Sequence, residues 1–203
     1  MKPRKPVIMI DFGGVYFTKG GTNAAQKWSK RLNLSKEKIF HALVESGHWV
    51  LCTTGKISAR EYWNRVARDL KLDRKQLSGL RKDFHAIKII KGMRPLVMRL
   101  KRNNKVVVLS GNTKERINLI KEKYEFNKVF HEQHYSFHYG YEKPDVRLFL
   151  SAVKKMNVDP IDCIMVDDNK VFLRAVKKTG AKTVLFKDAK HLETSLRNLG
   201  IVV

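Results

Sequence analysis

The stretch VIMIDFGGVYF, residues 7–17, decides how the whole chain is read. Four apolar residues run without a polar break into one carboxylate, Asp11, followed by Gly13-Gly14. A short unbroken apolar run suits a strand buried on both faces. Asp11 then sits at the strand's carboxyl end, where an aspartate is a candidate nucleophile or metal ligand. The position two residues on is Gly13, which has no side chain to offer.

Beyond residue 91 similar runs alternate with helical patterns. KVVVLS (105–110), DCIMVDD (162–168) and KTVLF (182–186) read as strands, and KVF (128–130) as a short one. Between them lie PLVMRLKRN (95–103), a helix opening at Pro95, and TKERINLIKEKY (113–124), with Ile117, Ile120 and Tyr124 at helical spacing. Asn112 or Thr113 is available to cap the second of these. DVRLFLSAVKKM (145–156), KVFLRAVKKTG (170–180, closed by Gly180) and AKHLETSLRNLG (189–200) complete the helices. Strands separated by helices imply an α/β fold, a Rossmann-like parallel sheet with helices on both faces. Residues 18–90 carry only helical patterns, which His48-Trp49 interrupts. They read as a helical subdomain inserted into a core of residues 1–17 and 91–203.

Composition bounds the rest. A chain of 203 residues with 43% hydrophobic content is long and apolar enough for such a domain. No run approaches the roughly 18 apolar residues of a membrane span. The basic-then-apolar start, MKPRKPVIMI, leads into Asp11 rather than a small-residue cleavage site, so a first strand is expected instead of a signal peptide. Two cysteines, Cys52 and Cys163, do not make a disulfide framework, and a reducing cytoplasmic setting is expected. The formal charge of +23 is spread along the chain: 16 basic against 6 acidic residues in 18–90, and 26 against 13 elsewhere. Such a field favours anionic partners, either small phosphorylated substrates or, non-specifically, nucleic acid. It is equally what a lysine-rich source proteome would give.

In open parallel sheets, ligands bind at the carboxyl ends of the strands. This sequence places there Asp11, then Ser110 with Gly111-Asn112-Thr113, then Lys143 before Pro144, then Asp167-Asp168-Asn169. A carboxylate, a hydroxyl at a helix start, an ammonium and a carboxylate pair together suit holding a phosphoryl group and a divalent cation against Asp11.

These segments resemble the haloacid dehalogenase superfamily, in the branch with a helical cap inserted after the first motif. SFHYGYEKPDVRLF (136–149) and MVDDNKVFLRAVKKTGAKTVLF (165–186) carry the resemblance most specifically, alongside 7–17 and 105–113. GKISAREYW (55–63) is the one familiar stretch of the cap. The resemblance implies that Asp11 forms an aspartyl-phosphate and that Ser110, Gly111, Asn112 and Lys143 bind the phosphoryl group. It further implies that Asp11, the Gly13 carbonyl and Asp168 hold Mg²⁺, with Asp167 acting through water, and that residues 18–90 close over a small phosphorylated substrate.

The departure is Gly13, where the family's phosphatases usually keep the aspartate that protonates the leaving group. General acid–base catalysis is typically worth about 10²–10⁴-fold. Three readings follow: a phosphatase that is slow or borrows a proton donor, a catalytically impaired protein binding nucleic acid or another anion through its basic surface, and, less favoured, a dehalogenase. His48 is a candidate substitute donor, although ordinary packing is the favoured reading for His48 and Trp49. His131, His134 and His138 have no partner cysteines and make a poor transition-metal set. The aromatic residues Trp28, Phe40, Tyr62, Trp63 and Phe84 are expected in the core of the helical region.

Overall fold

The structure, a computed structural model, describes residues 6–203; the first five residues of the expected core segment 1–17 lie outside it. The sheet strands are β1 (Val7–Ile10), β2 (Lys105–Ser110), β3 (Glu132–Tyr135), β4 (Cys163–Asp167) and β5 (Lys182–Leu185). They form one parallel sheet in the order β3-β2-β1-β4-β5.

Period-two alternation explains why the central strands β1, β2 and β4 carry apolar residues on both faces. Ile8, Ile10, Val106, Val108, Ile164 and Val166 face one cluster, and Val7, Met9, Val107, Leu109, Cys163 and Met165 face the other. The first cluster is closed by α6 (Met93–Asn103), α7 (Lys114–Tyr124) and α11 (Ala189–Asn198), and the second by α9 (Arg147–Met156) and α10 (Lys170–Lys177). Between β1 and α6 run α1 (Gly20–Leu32), α2 (Lys36–Phe40) continuing as a π-helical turn, α3 (His48–Thr53), α4 (Ala59–Leu70) and α5 (Arg74–His85). These helices share their own apolar cluster, with Trp28, Ile39, Leu43, Tyr62, Trp63 and Phe84 at its centre. A four-residue helix, α8 (Ser136–Tyr139), follows β3.

Three local expectations are corrected. Helix α6 begins at Met93, so Pro95 lies inside its first turn, where a missing N–H leaves no bond unmade. The pair His48-Trp49 opens α3 rather than merely interrupting helices. KVF is not a strand: Val129 and Phe130 are buried in the first cluster, and pairing with β2 begins only at Glu132. Strand β3 is an edge with one neighbour, so its half-buried Glu132 and Gln133 give no apolar run to announce it.

Candidate active site

The sheet order reverses at β1, and the loops after β1, β2, β3 and β4 bring the expected residues to one carboxyl-terminal edge. Asp11 follows β1 directly, its N–H donating to the Val166 carbonyl of the neighbouring strand at 3.0 Å. Lys143, after β3 and α8 and joined to Pro144 by a cis peptide, is nearly enclosed. Its ammonium lies 2.7 Å from Asp11 Oδ1 and donates to Asp167 Oδ2 at 2.6 Å. The other Asp167 oxygen accepts from the Asn169 N–H at 2.8 Å, so both are engaged. Asn169 in turn caps α10 through the N–H groups of Val171 and Phe172.

Asp11, Asp167 and Asp168 each place a carboxylate oxygen within 4.8 Å of the others. Burial pushes the Asp11 carboxyl up to about 7; Lys143 pulls against this, while the charges of Asp167 and Asp168 push it further. Lys143 is held above the ordinary lysine range: its burial acts downward, but the attraction of Asp11 and Asp167 outweighs it. Three crowded carboxylates with hard oxygen donors are the chemistry of an Mg²⁺ site, and the residues fit that ion. Asp168 is the most solvent-accessible of the three and pairs with Lys19 at the entrance to α1.

The two glycines of the opening stretch differ. Gly14 has φ +91°, and a β-carbon there would collide with Asp168 and Lys19. Around Gly13 such a carbon would meet nothing within 4 Å. The positive φ demands the second glycine, whereas the surroundings leave the first free to vary.

A cavity of about 390 Å³ opens over this edge. Asp11, Gly13, Gly111, Asn112, Lys143, Asp167 and Asp168 all line it. Ser110 ends β2 and is 1% exposed; the cavity wall there is made by Gly111 and Asn112 rather than by its side chain. From the helical segment come Phe40, Val44, Trp49, Val50 and Phe84. Phe40 and Phe84 therefore serve the cavity as well as the core. His48 does not line it; its Nε2 meets Asp69 Oδ2 at 3.0 Å. The three later histidines are also bound locally: His131 to the Val106 backbone, His134 to the Tyr139 hydroxyl and His138 to the Tyr135 N–H.

Three residues of the site were not singled out from sequence. The Glu142 carboxyl occupies the space that a β-carbon on Gly111 would take. Its Oε1 accepts from the Lys143 N–H at 2.9 Å, Oε2 is buried without a hydrogen-bond partner among the described residues, and burial raises its pKa. Arg116 reaches the cavity from α7, and Lys19 from the start of α1. Only the EKP context of Glu142 marked any of them in advance.

The haloacid dehalogenase-like hydrolase family matches over residues 8–198. The chain belongs to that family. Among curated proteins, flavin mononucleotide hydrolase 1 of Arabidopsis thaliana is 26% identical over 79% of this chain. Glyceraldehyde 3-phosphate phosphatase of Pyrococcus furiosus is 30% identical over 56%. The chain spans 66% and 48% of those two proteins' lengths. A HAD family enzyme of Bacteroides thetaiotaomicron, solved with magnesium and inorganic phosphate, has the same fold, with a TM-score of 0.76 at 17% identity over 92% of this chain and 98% of that one. No helix among the described residues is long and apolar enough to cross a membrane.

Proposed function

We propose that this hydrolase is an Mg²⁺-dependent phosphatase of small phosphomonoesters, acting through an aspartyl-phosphate on Asp11. The observation that carries the reading is Lys143, whose one ammonium bridges Asp11 and Asp167 in the wall of the cavity. That arrangement fixes Asp11 Oδ1 and leaves its other oxygen to attack. The phosphatase relatives and the magnesium–phosphate complex of a fold neighbour support the same chemistry.

Asp11, Asp168 and the Gly13 carbonyl would hold Mg²⁺, with Asp167 at one remove because its oxygens are already engaged. The cation would supply charge neutralisation at the phosphoryl oxygens. Lys143 neutralises charge on the other side, and Gly111 and Asn112, which line the cavity just before α7, bind phosphoryl oxygens, with Ser110 buried behind them at the end of β2. Asp11 attacks phosphorus, the P–O bond to the alcohol breaks, and water then cleaves the acyl phosphate to return the carboxylate and inorganic phosphate. With no side chain at Gly13, the departing oxygen takes its proton from water. Turnover is therefore slow for alkyl phosphates and faster for aryl or acyl phosphates, whose leaving groups need no proton. Residues 18–90 act as the cap over a core of 1–17 and 91–203.

The experiment is phosphate release from an aryl phosphate with and without Mg²⁺, on wild type and Asp11→Asn. Release that needs both the metal and Asp11 supports the proposal. Release by Asp11→Asn at the wild-type rate overturns it, and so does no release by either protein.

A further inference from the structure

Arg116 is 8% exposed, yet it lines the cavity that Asp11 and Lys143 also line. Its guanidinium carbon lies 3.9 Å from the ring centre of Phe84 and 5.1 Å from that of Trp49. Nη2 donates to the Phe84 carbonyl at 3.1 Å, and Nε to His85 Nδ1 at 3.4 Å. Nη1 has no partner among the described residues, and no carboxylate there forms an ion pair with this guanidinium. Burial lowers its pKa to about 10, so it stays charged at neutral pH. Its two hydrogen bonds, the two aromatic faces and the nearby Glu115 charge offset its desolvation only in part. An oxygen entering the cavity would offset it. Arginine provides a planar fork for such an oxygen, and here the fork is already oriented by two aromatic faces.

The wall around it narrows the ligand further. Phe40, Val44, Trp49 and Val50 contribute apolar surface to the cavity. A polyol would leave its hydroxyls unpaired against that part of the wall. At about 390 Å³ the space is near the lower end for small-molecule sites, which argues against a polymer.

We propose that Arg116 determines specificity: it binds an anionic or carbonyl oxygen at the end of the substrate remote from the phosphoryl group, on a planar unsaturated body that lies against Trp49. The substrate class is thus an aryl or heteroaryl phosphomonoester bearing such an oxygen. This assignment rests on the phosphatase reading for the reaction, but the subsite can be tested by binding alone.

Two measurements on wild type, Arg116→Met and Arg116→Lys decide it. In the first, kcat/KM is compared for phenyl phosphate and for 3- and 4-carboxyphenyl phosphate. The expected result is that Arg116→Met loses at least about tenfold more on a carboxylated substrate than on phenyl phosphate, the scale of a charge-assisted hydrogen bond, with part recovered in Arg116→Lys. An equal loss on all three substrates overturns the proposal, because it would mean a structural role or a grip on the phosphoryl group itself. The second is quenching of tryptophan fluorescence by the same compounds in Asp11→Asn protein, with Trp49→Phe as the reference. Quenching by a carboxylated compound that needs both Trp49 and Arg116 supports the subsite even if wild type releases no phosphate. Quenching that is absent, or indifferent to Arg116, overturns it.

Discussion

The Asp168 carboxylate packs so closely over Gly14 that a β-carbon on that glycine would collide with Oδ2, whereas Gly13 next to it faces open space. The loop after β1 is therefore built around one obligatory glycine and one that is not. Gly13 also has no positive φ to exclude a side chain. Gly13→Asp is expected to fold normally and to raise kcat on alkyl phosphates by at least about tenfold, since general acid catalysis can supply up to about 10⁴-fold. Aryl phosphates should gain less. Steady-state kinetics across leaving groups of different pKa checks this, and equal gains for all of them would count against a missing proton donor.

Gly14→Ala should behave in the opposite way. It imposes φ +91° on a residue with a side chain and displaces Asp168. The expected cost is about 1–3 kcal/mol of stability, together with weaker metal binding. Urea denaturation in EDTA isolates the first effect, and titration with Mg²⁺ the second.

Metal binding itself has a thermal signature. Among the described residues, Asp11, Asp167 and Asp168 converge with only Lys143 and Lys19 paired to them. A cation that binds the folded state alone stabilises it by about 2.7 kcal/mol at a hundredfold excess over its Kd. For a chain of this size that is a rise of about 5–10 °C in Tm. Asp168→Asn should abolish the rise while leaving the fold intact, because Asp168 is the most exposed of the three and its one ion pair is with the exposed Lys19. A full Mg²⁺ shift in that variant would remove Asp168 from the site.

Which of these residues are legible in the sequence follows from how each acts. Asp11, Ser110, Asp167 and Asp168 each end or follow an apolar run, and Lys143 stands before a proline in a distinctive stretch, so strand pattern and family resemblance both point to them. Arg116 in TKERINLI looks like one more basic residue on a solvated helix face. Its burial depends on Phe84 and Trp49, which arrive from α5 and α3. Glu142 stands in a quoted motif, but its closeness to Gly111 is a contact between two loops that no periodicity encodes. Strand β3 was missed for a related reason, since an edge strand with polar residues carries no apolar signal.

Glu115 ties the helical segment to the sheet-bearing part of the chain, and the tie is sensitive to acid. It accepts from Trp63 Nε1 at 2.9 Å, lies 3.3 Å from His85 Nε2 and pairs with Arg81, so α4 and α5 both converge on one carboxylate of α7. Burial alone would raise its pKa, but the hydrogen bonds from His85, Trp63 and Arg81 prevail and hold it at about 2, against an ordinary 4.5. Between those two values the unfolded chain binds more protons than the folded one, so stability rises with pH across that window. The contribution is complete above about pH 4.5 and is lost as the pH falls toward 2, with a full size on the order of 3 kcal/mol. Glu115→Gln keeps the shape but not the charge. It should be less stable than wild type at pH 6, and the difference should shrink steadily below pH 4. Urea denaturation of both proteins from pH 2.5 to 6 gives that difference directly. A gap independent of pH would mean that Glu115 holds the helices by packing and not by its charge.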